Sequence, residues 1–177
     1  MSFLLRKVRK NKWYKTETIA WLLPGEFQSD PLGDLATTGN KLSVYRVEDD
    51  CSNLERVVAA LAANCDKIAN FDYVLFQETI LKDIKIKSEQ TKGETPDETV
   101  NNCHLDLIEL SAFRLVDLAK QVLDRGEVKR FLVREVTNFL ADSIQRGYIN
   151  KAKISLNPKD KEKIDKLIQS NSTFNSD

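Results

Sequence analysis

His104 is the only histidine of the chain and therefore the first residue to consider for chemistry. Imidazole is the side chain that titrates near neutral pH, so acid–base catalysis or a histidine-based metal site would depend on this residue. Its neighbour Cys103 is adjacent on a predicted helix, where successive side chains point about 100° apart, so the two cannot form a nucleophile–base pair. We interpret His104 as a residue at the edge of a buried helix, hydrogen-bonded to a neighbour. A small enzyme that uses His104, with Asp106 or Glu109 as its local partner, is an alternative.

The three cysteines and six glycines do not form a cofactor motif. Cys51, Cys65 and Cys103 contain no C-x-x-C pair, and cysteines on apolar helix faces behave as small hydrophobic residues. The glycines are too far apart for a G-x-G-x-x-G turn, and none of them precedes a Lys-Ser/Thr pair. We therefore predict neither a metal nor a cofactor.

Three consecutive acids, Glu48, Asp49 and Asp50, follow a short apolar segment that we interpret as a strand. Ligands of α/β sheets bind at the carboxyl ends of parallel strands, which makes Asp49 and Asp50 candidate ligand residues, as is His104. The same acids precede a predicted helix, and negative charge at a helix N-terminus is stabilising by itself. We favour this simpler interpretation.

The N-terminal segment is the clearest local indication of a partner, because it combines cations with aromatic side chains. Cations neutralise phosphates and aromatic rings stack on unpaired bases, so the segment could bind a nucleic acid. Alternatively, it is a strand or arm with one aromatic side packed on the domain. The equal numbers of basic and acidic residues, 27 each, argue against long-range attraction of nucleic acid. The residues concerned are Arg6, Lys7, Arg9, Lys10, Lys12, Trp13, Tyr14 and Lys15.

The length of 177 residues predicts a single globular domain over 1–169, with a basic arm over 1–15 and a disordered tail over 170–177. No apolar run approaches the ~18 residues that a membrane-spanning helix needs. The apolar residues at the N-terminus are also too few for a secretory signal. Together with an odd number of cysteines, these features predict a cytoplasmic protein without a membrane segment.

The pattern of apolar residues predicts a strand over 41–48, a helix over 53–70 and a strand over 71–76. Strand, helix and strand in succession indicate a βαβ unit with two parallel strands. Asp30 and Pro31 are expected to begin a short helical turn.

A segment that is apolar almost all round predicts a long buried helix over about 96–123 at the centre of the molecule. A second helix is predicted over 127–146, with a strand over 128–133 as the alternative, and a last helix begins at Asn157 and Pro158. The predicted fold class is therefore α+β, a helix-dominated domain with a small sheet packed on a long central helix.

The predicted function follows from the small number of residues that could take part in catalysis. With one histidine, few glycines and no converging polar motif, we predict a non-enzymatic intracellular interaction protein or accessory subunit with a protein partner. A nucleic-acid-binding protein that uses the basic N-terminal segment is the first alternative, and the enzyme based on His104 is the second.

Overall fold

The computed structural model describes residues 2–13, 22–23 and 26–174, and one antiparallel sheet of six strands forms its centre. The strands are β1 (Phe3–Lys7), β2 (Leu42–Val47), β3 (Phe71–Gln77), β4 (Lys87–Gln90), β5 (His104–Ile108) and β6 (Glu127–Phe131). Their order across the sheet is β4-β5-β2-β1-β3-β6. The predicted α+β class is confirmed, with a larger sheet than expected.

Strand β1 lies in the middle of the sheet, between β2 and β3. Leu4 is opposite Arg46 on one side and opposite Phe76 on the other, and both pairings are antiparallel. Strands β2 and β3 therefore run parallel to each other, as predicted, but they are not adjacent. Since Leu4 and Leu5 point to opposite faces and are both fully buried, the first part of the predicted arm is a core strand.

Three helices cover one face of the sheet: α2 (Leu54–Ala63), α6 (Val133–Gln145) and α7 (Pro158–Phe174). Their apolar faces share a core with Leu5 of β1 and Tyr73 of β3. Helix α2 ends earlier than the predicted 53–70, because the Cys65 N–H already closes a turn onto the Ala62 carbonyl. The short helix α4 (Glu98–Asn101) contributes Val100 to the same core.

The opposite face is covered by α1 (Asp30–Asp34), α3 (Thr79–Asp83) and α5 (Ala112–Arg125). The short helical turn predicted at Asp30 and Pro31 is thereby confirmed as α1. This second core combines Leu118 and Val122 of α5 with Leu4 of β1 and Val74 of β3. Trp13 belongs to it too, directly after a 3-10 turn over Lys10–Lys12.

The long central helix predicted over 96–123 is wrong. The segment contains α4, then strand β5, and then most of α5. Glu109 has a left-handed φ of 55°, which interrupts any helix at that point. Ser111 then caps α5, since its hydroxyl accepts a hydrogen bond from the Arg114 N–H at 3.3 Å. The apolar residues of α4, β5 and α5 follow one another closely in the sequence, and together they resemble one buried helix.

The helix predicted over 127–146 is correct only from Val133 to Gln145. Its first residues form strand β6, close to the strand that we had considered as the alternative. Phe131 of β6 stacks on Tyr73 of β3 with 5.3 Å between ring centroids, a cross-strand contact. The sheet partner, which the sequence pattern does not reveal, determines the strand conformation.

The last helix begins at Pro158 as predicted and continues to Phe174, past Ser170, where the predicted tail begins. Residues 175–177 lie outside the described residues. None of the helices in the described part of the chain combines the length and apolar character needed to cross a lipid bilayer.

Candidate functional site

A cleft of about 950 Å³ lies where the C-terminal end of β2 meets the start of α2 and the end of α6. We call it the acidic cleft, because five of its side chains carry carboxylates and two carry guanidinium groups. Its lining residues are Glu48, Asp49, Asp50, Ser52, Asn53, Glu55, Arg56, Phe139, Asp142, Ser143, Arg146 and Tyr148.

The loop between β2 and α2 places three acids at the cleft. Cys51 adopts a left-handed φ of 58°, and its N–H bonds to the Glu48 carbonyl at 2.9 Å, so the chain turns sharply. The Asn53 side-chain oxygen accepts the Glu48 N–H at 2.9 Å, which ties the two ends of the loop together. The conformation of this acidic loop is therefore determined by hydrogen bonds within it.

Asp50 accepts the Ser52 N–H at 2.9 Å. This bond, with a further hydrogen bond from the Ser52 side chain, lowers the pKa of Asp50 below its usual value. The hydrogen bonds favour the charged form, so Asp50 is ionised at neutral pH. The adjacent N-terminus of α2 also favours negative charge here, as the sequence interpretation expected.

Arg56, in the first turn of α2, is held by a buried carboxylate. Its Nε and Nη2 donate to the two oxygens of Asp97 at 2.6 and 2.9 Å, and Asp97 is only 1% exposed. These hydrogen bonds are the main cause of a raised pKa for Arg56. The guanidinium carbon also lies 3.9 Å from the ring centroid of Tyr148, a cation–π contact. Arg56 is therefore already engaged inside the protein.

Arg146 is engaged in the same way. Its Nε donates to Asp142 Oδ1 at 2.8 Å, one turn earlier on the same helix. Hydrogen bonds to Asp142 first, and to Tyr148 second, raise the pKa of Arg146. Since both arginines already have acidic partners, the carboxylates that line the cleft give it an excess of negative charge.

The five carboxylates of the acidic cleft come from two parts of the chain, the segment 48–55 and Asp142 of α6. Among the described residues, no three His, Cys, Asp or Glu side chains converge in a way that could hold a metal ion. The arrangement suits a ligand that carries positive charge over some length. A bare divalent cation would need several oxygen ligands at one centre.

Only two lining residues, Asp49 and Asp50, were identified from the sequence. Asp142 and Arg146 have the four-residue spacing of a helical ion pair, and this signal was available. Tyr148 and Arg56 are ninety-two positions apart in the chain, and nothing in the sequence indicates that they meet. The cleft exists because α2 and α6 pack together, a tertiary contact that local patterns do not reveal.

His104 does not belong to the acidic cleft, and its predicted position on a helix is wrong. It lies on strand β5 and is 8% exposed. Its Nδ1 is 2.8 Å from the Thr91 hydroxyl, and its Nε2 is 3.8 Å from Asp106 Oδ1. The ring also contacts Tyr45 edge-on, with 5.0 Å between centroids. The residue is thus packed in the sheet and hydrogen-bonded, and Glu109 instead pairs with Lys87.

The described part of the basic N-terminal segment packs on the domain. The Arg6 guanidinium donates to the Ser43 carbonyl at 2.9 Å, and burial lowers the pKa of Arg6. The Lys7 ammonium lies 5.5 Å from the centroid of Phe71. Trp13 is 4% exposed, and its indole N–H donates to Asp34 at 3.0 Å, so its ring is packed in the core and does not project from the surface.

The other cations of this segment have different environments. Arg9 lies 3.8 Å from Asp34, and the backbone N–H of Lys10 donates to Asp72 at 2.9 Å. Lys12 ends the 3-10 turn, and its ammonium lies near Gly33. Tyr14 and Lys15 lie outside the described residues. The first residues of this segment therefore pack on the domain, whereas Arg9 and Lys10 are exposed.

No protein-family model, curated protein or solved structure matches this chain.

Proposed function

We propose that this protein is a non-enzymatic, intracellular interaction protein or accessory subunit that binds a basic segment of a partner protein in the acidic cleft. The observation that carries the proposal is the excess of carboxylates in a cleft whose two arginines are already paired. A cytoplasmic location belongs to the same proposal and rests on the composition of the chain.

The composition of the cleft suits lysine and arginine side chains. Small-molecule pockets are lined mainly by apolar groups, whereas Phe139 and Tyr148 are the only aromatic residues here. A lysine or arginine side chain combines an apolar stem with a charged head. The stem can lie against an aromatic ring while the head contacts a carboxylate.

The extent of the site supports a polypeptide ligand. Arg56 and Tyr148 also line a neighbouring cavity of about 340 Å³, together with Pro96, Glu98 and Lys153. An extended segment can therefore pass from the acidic cleft over these two side chains into the second cavity. A single small cation would occupy only a fraction of this surface.

The geometry supports the two alternatives less well. Two of the residues predicted to bind nucleic acid are engaged inside the domain. Trp13 is buried, and Arg6 binds backbone carbonyls. An enzyme based on His104 would need an accessible imidazole, and this ring is packed between Tyr45 and Thr91.

The proposal can be tested with a labelled nonapeptide of alternating lysine and glycine, titrated in fluorescence anisotropy. Glu55 lines the cleft on the exposed side of α2, so Glu55→Lys should weaken binding about tenfold. The matched control is Asp117→Lys, the reversal of an exposed acid on α5 across the sheet, which should leave the affinity unchanged.

The same titration with glutamate in place of lysine should show no binding, and the affinity for the lysine peptide should fall as salt is added. Equal affinities for Glu55→Lys and Asp117→Lys would show that the cleft is not the binding site. Circular dichroism of both variants confirms that each has folded.

A further inference from the structure

A further cavity, of about 440 Å³, lies on the opposite face of the sheet from the acidic cleft. We call it the tryptophan pocket. Trp13, Leu123 and Val128 form its apolar walls, and all three pack in the core on the α5 side. Lys10, Asn11, Gly126 and Arg130 complete its lining, and Arg130 lies on β6 at the edge of the sheet.

The walls of the tryptophan pocket are held in place before any ligand binds. The indole N–H of Trp13 donates to Asp34 at 3.0 Å, which fixes the plane of the ring. Leu123 is 8% exposed near the C-terminal end of α5. A ligand would therefore meet a preformed apolar surface and would cause little loss of side-chain freedom on binding.

The charge at the edge of the pocket is positive. Arg130 donates to both oxygens of Asp72, at 2.5 and 2.9 Å, and the Lys10 N–H donates to the same carboxylate. This carboxylate is thus shared by the Arg130 guanidinium and the Lys10 backbone N–H. The Lys10 side chain is exposed, so its ammonium can reach an anion at the mouth of the pocket.

We propose that the tryptophan pocket binds a small organic anion with an apolar body, such as an aromatic carboxylate. The apolar body would lie against Trp13, Leu123 and Val128, and the carboxylate would meet the Lys10 ammonium. This site is separate from the acidic cleft, which favours the opposite charge, and the proposal does not depend on the function proposed there. It also gives a role to Lys10 and Trp13, which the sequence had indicated as nucleic-acid-binding residues.

The probes for this proposal are 2-naphthoate and its neutral counterpart 2-naphthalenemethanol, each titrated into the ¹⁵N-labelled protein. We expect saturable chemical-shift changes at the Trp13 indole N–H and at the amides of Gly126 and Val128. The alcohol should bind about tenfold more weakly than the carboxylate, because it makes no charge-assisted contact.

Two lysines of the same 3-10 turn, the exposed Lys10 and the half-buried Lys12, provide matched variants. Lys10→Gln should weaken naphthoate binding about tenfold and leave the binding of the alcohol unchanged. Lys12→Gln should change neither, because Lys12 is not among the residues that line the pocket. A further variant, Val128→Trp, should fill the pocket and abolish the binding of both probes.

Three outcomes would overturn the proposal. They are the absence of saturable shifts at Trp13, Gly126 and Val128, shifts located elsewhere on the protein, and naphthoate binding that is insensitive to Lys10→Gln. Because neither lysine is buried, both variants should fold, and their amide spectra should otherwise match that of the wild type.

Discussion

The carboxylate of Asp72 connects three parts of the chain through one side chain. It lies on β3, its side chain is 13% exposed, and it accepts hydrogen bonds from Arg130 of β6 and from the Lys10 backbone. The hydrogen bonds from Arg130, followed by that from the Lys10 N–H, lower the pKa of Asp72 below its usual value. A carboxyl whose pKa is lower in the folded protein than in the unfolded chain stabilises the fold when it is ionised.

We therefore predict that Asp72→Asn lowers the free energy of unfolding at neutral pH by about 1–3 kcal/mol. The sign of the pH dependence follows from the lowered pKa. The contribution of Asp72 is fully present above the unfolded pKa and is lost as the pH falls through the folded pKa. Wild-type stability should therefore decrease as the pH falls below the unfolded pKa of about 3.9, and this decrease should be smaller in Asp72→Asn.

Urea unfolding followed by circular dichroism at several pH values measures both effects. Asp117→Asn removes an exposed carboxylate of α5 and should keep the wild-type pH dependence. If Asp72→Asn showed the same acid-induced loss as the wild type, the ion pair with Arg130 would not contribute to stability.

At the scale of elements, Gly126 is a position where only glycine fits. It separates α5 from β6, and a Cβ atom built on it would lie 2.6 Å from the Val122 carbonyl oxygen and 3.2 Å from that of Leu75. Both contacts are with backbone atoms, which cannot move aside without shifting a helix or a central strand. Helix α5 can therefore be followed directly by β6 only because Gly126 has no side chain.

Gly126→Ala should lower the free energy of unfolding by about 1–3 kcal/mol, because the new methyl group forces the backbone to shift. Gly33→Ala is the control, since its Cβ would meet only the flexible end of Lys12 at 3.3 Å. Gly33 lies in helix α1, where alanine is favoured, so that variant should be unchanged or slightly more stable. Equal thermal unfolding midpoints for the two variants would contradict the steric argument.

The elements that the sequence predicted correctly are those whose apolar pattern has one period throughout. Strands β2 and β3 were predicted within one residue of their observed ends, because each is short, apolar and flanked by polar residues. Over 96–123 the pattern joined a strand to two helices, and the breaks at Glu109 and Ser111 were not recognised. The residues of β6 were predicted to be helical, because their apolar side chains also fit helical spacing.

The candidate site was less predictable than the fold, for a physical reason. Asp49 and Asp50 could be identified because they follow a strand in the sequence. Arg56 and Tyr148 meet only when α2 and α6 pack together, and the pairing of Arg56 with Asp97 requires a third segment. Local sequence patterns predicted elements such as β2 and β3, whereas the cleft results from contacts between distant elements.

The whole molecule is a sheet between two helical layers, and β1 connects the two cores. Leu4 packs in the core on the α5 side, and its neighbour Leu5 packs in the core on the α2 side. Because β1 pairs with both β2 and β3, loss of one core would remove the support of the strands that form the other. The two layers should therefore unfold together, as expected for a domain of this size.

This coupling can be tested by weakening one layer and observing the other. Ile164 of α7 is 1% exposed in the core on the α2 side, so Ile164→Ala should lower the free energy of unfolding by about 2–4 kcal/mol. Trp13 reports on the opposite core, and in a Trp21→Phe background it is the remaining tryptophan of the chain. Its fluorescence midpoint in urea should shift as far as the midpoint from circular dichroism.

Ile168→Ala provides the matched control, because Ile168 packs on the same core but is only partly buried, and its shift should be smaller by both signals. A fluorescence midpoint that stays at the wild-type value while the circular dichroism midpoint falls would show that the two layers unfold separately. In that case β1 would not couple the cores, and the acidic cleft and the tryptophan pocket would belong to independently stable halves of the molecule.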